Sequence, residues 1–190
     1  MSAGTGAKPR PVFLVGYMGS GKTTLGHAVS EAAHLPFIDL DDAIVAEAGK
    51  AVGAIFAEEG EAGFRRRENA MLRRVAASPA IVACGGGTPL QPGNMELMNS
   101  MGTTVWLKAS PRRLHERLTL YRGDRPLLKG LDGQALMDFI TEALSVREPF
   151  YAAAAHIFDA DSLDTPAQLR DSVRTFVLRF ISENPHNNQP

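Results

Sequence analysis

The chain has 190 residues, with 20 Lys+Arg against 21 Asp+Glu, a formal net charge of −1, and 44% hydrophobic residues. A chain of that length buries roughly 70% of its unfolded surface, enough for one core without covalent staples. The balance excludes a disordered chain, and one held to nucleic acid or membrane by bulk positive charge.

Residues 1–9 and 184–190 read as frayed tails around a single domain spanning 1–183. Five short apolar runs, at 12–15, 37–39, 80–84, 103–107 and 156–159, are each bounded by Gly, Pro or charge and read as buried strands. Segments of period 3.6 lie between them, for example Phe64, Met71, Leu72 and Val75. Strands alternating with helices predict an α/β fold, with a parallel sheet covered on both faces. Two stretches fit the alternation poorly. Residues 41–78 carry helical patterns without a strand and predict an inserted helical region. Residues 112–133 are charge-rich, broken by Gly123, Pro126 and Gly130, and predict a loop or lid. The core is then about 11–40, 79–111 and 134–183.

The motifs follow the strands. Gly16-Tyr17-Met18-Gly19-Ser20-Gly21-Lys22-Thr23, after the first strand, fits G-x-x-x-x-G-K-[ST]. Its glycines let successive amides face a polyphosphate at a helix N-terminus; Lys22 reaches the β- and γ-phosphates and Thr23 ligates Mg²⁺. N-K-x-D and D-x-x-G, the strings of a GTPase, are missing. The chain is too short for a motor or transporter ATPase, which leaves a small kinase acting on a small molecule.

Asp39-Leu40-Asp41-Asp42 closes the second strand. Read as a strand, Asp39 and Asp41 share a face at the carboxyl edge, where one carboxylate could hold Mg²⁺ through water and the other accept from a substrate hydroxyl. Asp42 is assigned to capping the helix that follows. In Phe64-Arg65-Arg66-Arg67-Glu68, either Glu61 or Glu68 is spaced to orient Arg65. Arg66, Arg67, Arg73 and Arg74 read as a solvated face. Cys84-Gly85-Gly86-Gly87 ends the third strand, its glycines open to close approach and its cysteine a small core residue. As the chain's lone cysteine, Cys84 also excludes a disulfide or Cys-cluster zinc site. No histidine pair has metal-ligand spacing. Nothing spans a membrane or forms a signal h-region, so a reducing cytoplasm is expected.

With Arg125-Pro126-Leu127-Leu128 and Arg147-Glu148-Pro149-Phe150-Tyr151, six strings stand in the order G-x-M-G-x-G-K-[ST], D-x-D, F-R-x-x-E, G-G-G, R-P-L-L and R-x-x-x-Y. In that order they resemble the shikimate kinase family over about residues 11–180. The resemblance implies a five-stranded parallel sheet similar to that of nucleoside monophosphate kinases, with a helical substrate-binding region and a lid. It implies phosphorylation of the 3-hydroxyl of shikimate by Mg-ATP in a monomer without nucleic-acid or membrane partners. ATP falls to Gly19, Ser20, Gly21, Lys22, Thr23 and Thr24, with Arg117 and Pro166 flanking adenine and Arg125 closing over the phosphates. Mg²⁺ falls to Thr23 and Asp39. Shikimate falls to Asp41, Arg65, Gly86, Gly87 and Arg147, with Phe56 and Phe64 as an apolar wall. Lys22, Asp41 and Arg125 are the implied catalytic residues, and Glu68 orients Arg65. Leu40, where Thr or Ser is more usual, departs from the pattern. The cations are 15 Arg and 5 Lys; on this reading only Arg65, Arg125 and Arg147, with Lys22, hold anions, and the wider excess of Arg is composition bias.

Overall fold

Parallel strands β1 (Val12–Val15), β2 (Phe37–Asp39), β3 (Ile81–Ala83), β4 (Thr103–Lys108) and β5 (His156–Asp159) form one sheet in the order β2-β3-β1-β4-β5. The structure, a computed structural model, describes residues 10–121 and 128–182. The third strand is shorter than its apolar run by Ala80 and Cys84, and the fourth takes in Lys108. Every residue of β1 and β3 is buried, as strands covered on both faces must be.

Helices α1 (Lys22–Ala33), α2 (Leu40–Ala48), α3 (Val52–Val75), α4 (Asn94–Met101), α5 (Pro111–Leu120), α6 (Gly133–Tyr151) and α7 (Pro166–Val177) flank the sheet. Within these layers α1 packs on α7, α5 on α6 and α2 on α3. Local chemistry sets several of their starts. Ser110 caps α5 ahead of Pro111, and Thr165 and Gln168 form a capping box at α7 around Pro166. The long α3 kinks at Gly60, whose φ is +69°.

One local expectation is corrected here. The second strand stops at Asp39, whose carboxylate accepts from the Asp41 amide at 3.1 Å and caps α2. Asp41 therefore lies in the first turn of a helix, not on a strand face shared with Asp39, and the cap is Asp39 instead of Asp42.

Of the expected lid, its first residues through Leu120 belong to α5, and Leu128 is buried in the core. Residues 122–127, with Arg125 and Pro126, lie outside the described residues. Among the described residues no helix is long and apolar enough to cross a membrane.

The topology gathers the motifs. Leu14 pairs with Ala83, and Ala83 with Asp39, so the segments leaving β1, β3 and β2 emerge side by side. With β3 on one side of β1 and β4 on the other, that edge is a switch point where α/β sheets bind ligands.

Candidate active site

The loop from β1 to α1 is built to receive an anion. Gly21 occupies the N-cap of α1 with φ +93°, and a Cβ there would stand 2.5 Å from Leu163 Cδ1. No side chain caps α1 and no acid sits in its first turn, so the positive end of its dipole is left for a ligand. Ser20 is buried, and its hydroxyl has no hydrogen-bond partner among the described residues. The Lys22 ammonium donates to the carbonyls of Gly16 (2.8 Å) and Tyr17 (2.9 Å), curled over the loop it serves. A cavity of about 670 Å³ opens here, lined by Lys22, Thr23, Thr24, Asp39, Asp41 and Gly86 among others.

Thr23 Oγ1 donates to Asp39 Oδ2 at 3.1 Å on the cavity wall. An alcohol beside a carboxylate is an all-oxygen donor set suited to Mg²⁺, which takes few protein ligands and keeps waters and phosphate oxygens. Among the described residues no three His, Cys, Asp or Glu cluster into a metal cage. The donors thus fit a cation that arrives with a phosphate.

The three glycines after β3 each lie beside a different charged side chain. A Cβ on Gly85 would lie 2.9 Å from Asp41 Oδ1, one on Gly86 3.8 Å from Arg147 Nη1, and one on Gly87 2.7 Å from Arg65 Nη2. Glycine at 85 and 87 is what lets the Asp41 carboxylate and the Arg65 guanidinium come so close, while Arg147 stands at ordinary contact distance from 86. Arg65 bonds the buried Glu68 at 3.0 Å and Glu61 at 3.3 Å, so both acids spaced to orient it do so. Burial first, then the neighbouring Asp39 and Glu68 charges, push the Asp41 carboxyl up to about 6, against the pull of Lys22 and Arg65. Arg147 lies over the Tyr17 ring, 5.4 Å from its centroid. Phe56 and Phe64 stack at 4.8 Å beside Arg65.

Arg117 also lines the cavity, fixed by Asp164 through Nε (2.6 Å) and Nη2 (3.1 Å) and by the carbonyls of Ala160 (2.8 Å) and Gly19 (3.3 Å). Pro166 is exposed at the start of α7 and is not among the residues lining the cavity.

A family profile described as "Shikimate kinase" matches residues 18–178. The chain belongs to the shikimate kinase family. Shikimate kinase from Bacteroides thetaiotaomicron is 47% identical over 164 residues, which is 86% of this chain and 94% of that one. A crystal structure of shikimate kinase from the same species superposes with a TM-score of 0.84 at 45% identity, covering 89% of this chain and 97% of that one. Shikimate kinase from Acinetobacter baumannii, solved in complex with shikimate, gives 0.76 at 30% identity, over 90% and 92% of the two chains.

Within this shikimate kinase fold, the structure brings Lys22, Thr23, Asp39, Asp41, Arg65, Gly86, Gly87 and Arg147 to one edge of the sheet. Arg66 is exposed, Arg67 pairs with Glu59, Arg73 with Asn69 and Arg74 with Glu47, so that charged face is occupied with its own neighbours. Cys84 is buried, its thiol pushed up by desolvation, and packs on Met98 as a core residue. Three contributors are marked by no motif position: Thr88, which donates to Glu68 at 2.6 Å, Asp164 on Arg117, and Tyr17, at a variable position of the phosphate loop, beneath Arg147.

Proposed function

We infer that the chain transfers the γ-phosphoryl group of ATP to the 3-hydroxyl of shikimate, releasing ADP and shikimate 3-phosphate for aromatic amino acid synthesis. The observation that carries this reading is the convergence of Asp41, Arg65 and Arg147 on Gly85–Gly87, beside the phosphate loop. Arg65 and Arg147 present two planar forks that a carboxylate satisfies and a neutral sugar does not. Their pairing seats the ring so that its hydroxyl faces Asp41, with Phe56 and Phe64 as the apolar wall and the 41–78 region as the acceptor's housing.

Asp41, ionised at neutral pH yet raised close to it, accepts the proton of the attacking hydroxyl. Lys22, the amides of Gly19, Ser20 and Gly21, and Thr24 hold the polyphosphate, and Arg117 flanks adenine. Thr23 and Asp39 hold Mg²⁺, which supplies charge neutralisation at the phosphates. Arg125 neutralises the transferring group. Phosphoryl transfer asks for alignment and charge compensation, and each of these side chains supplies one of the two. The chain acts on its own as a cytoplasmic monomer.

Purified protein with Mg-ATP is expected to release ADP when shikimate is added, and far less with gluconate or a nucleoside monophosphate. Turnover that follows gluconate or the monophosphate, and ignores shikimate, would sink the assignment.

A further inference from the structure

The two arginines of the acceptor clamp are held by different chemistry. Arg65 has Glu61 and Glu68, whereas Arg147 has no carboxylate partner among the described residues. Its guanidinium instead lies over the Tyr17 ring, 5.4 Å from the centroid. One helical turn on from Arg147 is Tyr151, whose phenol donates to the Gly86 carbonyl at 2.8 Å. An aromatic face steadies a guanidinium without claiming its N–H edge, which stays available to an incoming carboxylate.

Tyr17 is also part of the phosphate loop. Its carbonyl accepts from Lys22 at 2.9 Å and from the Ser20 amide at 3.1 Å, and its side chain is 2% exposed. One residue therefore touches the phosphate-binding lysine with its backbone and the acceptor clamp with its ring. The hydroxyl, by contrast, is buried with no hydrogen-bond partner among the described residues.

We propose that Tyr17 is the positioning residue of the acceptor clamp, its ring forming the floor that holds Arg147 toward the substrate carboxylate. The inference rests on the shikimate kinase reading and adds to it a residue that acts through Arg147 and leaves the reacting atoms untouched. The ring carries the effect and the hydroxyl does not.

The test compares steady-state kinetics and melting of the full chain with Tyr17→Leu and Tyr17→Phe, and repeats Tyr17→Leu in an Arg147→Ala background. Tyr17→Leu is expected to raise the KM for shikimate about 5- to 30-fold, the span from an exposed to a desolvated cation–π contact, with smaller changes in kcat and in the KM for ATP. Tyr17→Phe keeps the ring and should hold the shikimate KM within about twofold. Removing an unpaired buried hydroxyl should also raise the melting temperature by about 2–4 °C. In the Arg147→Ala background Tyr17→Leu should add nothing, since its only route to the substrate is gone. If the Leu variant does not fold, Tyr17→Met, unbranched and not aromatic, gives the same reading. A Leu variant that weakens ATP as much as shikimate, leaves shikimate unaffected, or keeps its full effect without Arg147 would overturn the inference. Parent protein with no shikimate-dependent turnover would instead overturn the functional reading itself.

Discussion

Gly87 leaves the space that the Arg65 guanidinium fills: a Cβ there would stand 2.7 Å from Nη2 and 3.0 Å from Nη1. Gly85 stands in the same relation to Asp41, at 2.9 Å from Oδ1, whereas Gly86 has no neighbour closer than 3.7 Å. Each obstructed atom ends a side chain that can swing aside, so the cost falls on the site more than on the fold. Gly87→Ala is expected to raise the shikimate KM by about 10- to 100-fold, the usual penalty for an ångström of misplacement. Gly85→Ala should lower kcat instead, and Gly86→Ala should be the mildest of the three. Steady-state kinetics of the three variants distinguish the two effects.

The raised carboxyl of Asp41 ties activity to stability. Its folded value of about 6 lies above the ordinary carboxylate range, so ionising it at neutral pH works against folding. Stability from this group is present in full below about pH 4 and is lost as pH rises through about 6. Asp41→Asn should therefore stabilise the protein at pH 7.5 by about 1–3 kcal/mol, with the gain vanishing toward pH 4. The same change should cut turnover by about 10²- to 10⁴-fold through loss of the proposed base. In the parent, kcat/KM for shikimate should fall about tenfold per pH unit below 6 as Asp41 takes its proton. Melting curves and a pH–rate profile read the two halves of this prediction.

Sequence legibility followed distance along the chain. The phosphate loop, the positions of the five strands and the Arg65–Glu68 spacing are local patterns readable without coordinates. The expected burial of all five strands holds for β1 and β3 but fails at the sheet edges, where β2 is half-buried and β5 buries Phe158 alone. Asp41 was singled out by its string, but the strand-face argument for it failed, because an Asp side chain that bonds the amide two residues on starts a helix there. Thr88 on Glu68 and Asp164 on Arg117 are contacts across 20 and 47 residues. Composition and period carry no information about such pairs; they exist only once the sheet order brings the loops together.

Glu68 should be the costliest of these residues to remove. It is fully buried, accepts from Arg65 at 3.0 Å and from Thr88 at 2.6 Å, and lies behind the clamp. Asn94 extends the network by donating to the Thr88 carbonyl at 3.0 Å. Glu68→Ala leaves the Arg65 charge half-buried without its inner partner, and should cost about 3–5 kcal/mol in urea unfolding. Thr88→Val removes one neutral donor to a charged acceptor, for about 1–3 kcal/mol. Both should raise the shikimate KM and leave the KM for ATP nearly unchanged, because the network touches the clamp and not the phosphate loop.

Asp164 and Arg117 make the matching test on the nucleotide side. The pair is bidentate, and the Arg117 hydrogen bond holds the Asp164 carboxyl below its ordinary range. The Ala160 and Gly19 carbonyls complete the hold on a guanidinium proposed to flank adenine. Asp164→Ala should free Arg117 and raise the KM for ATP by about 10- to 150-fold, the range for a charged hydrogen-bonded pair. Asp164→Asn keeps one acceptor and should fall between that variant and the parent. Binding of shikimate alone, read by calorimetry, should be unaffected, since no atom of the pair faces the clamp. Because Arg117 also bonds Gly19, a loss of shikimate affinity equal to that of ATP would mean that the pair shapes the phosphate loop and not the base pocket.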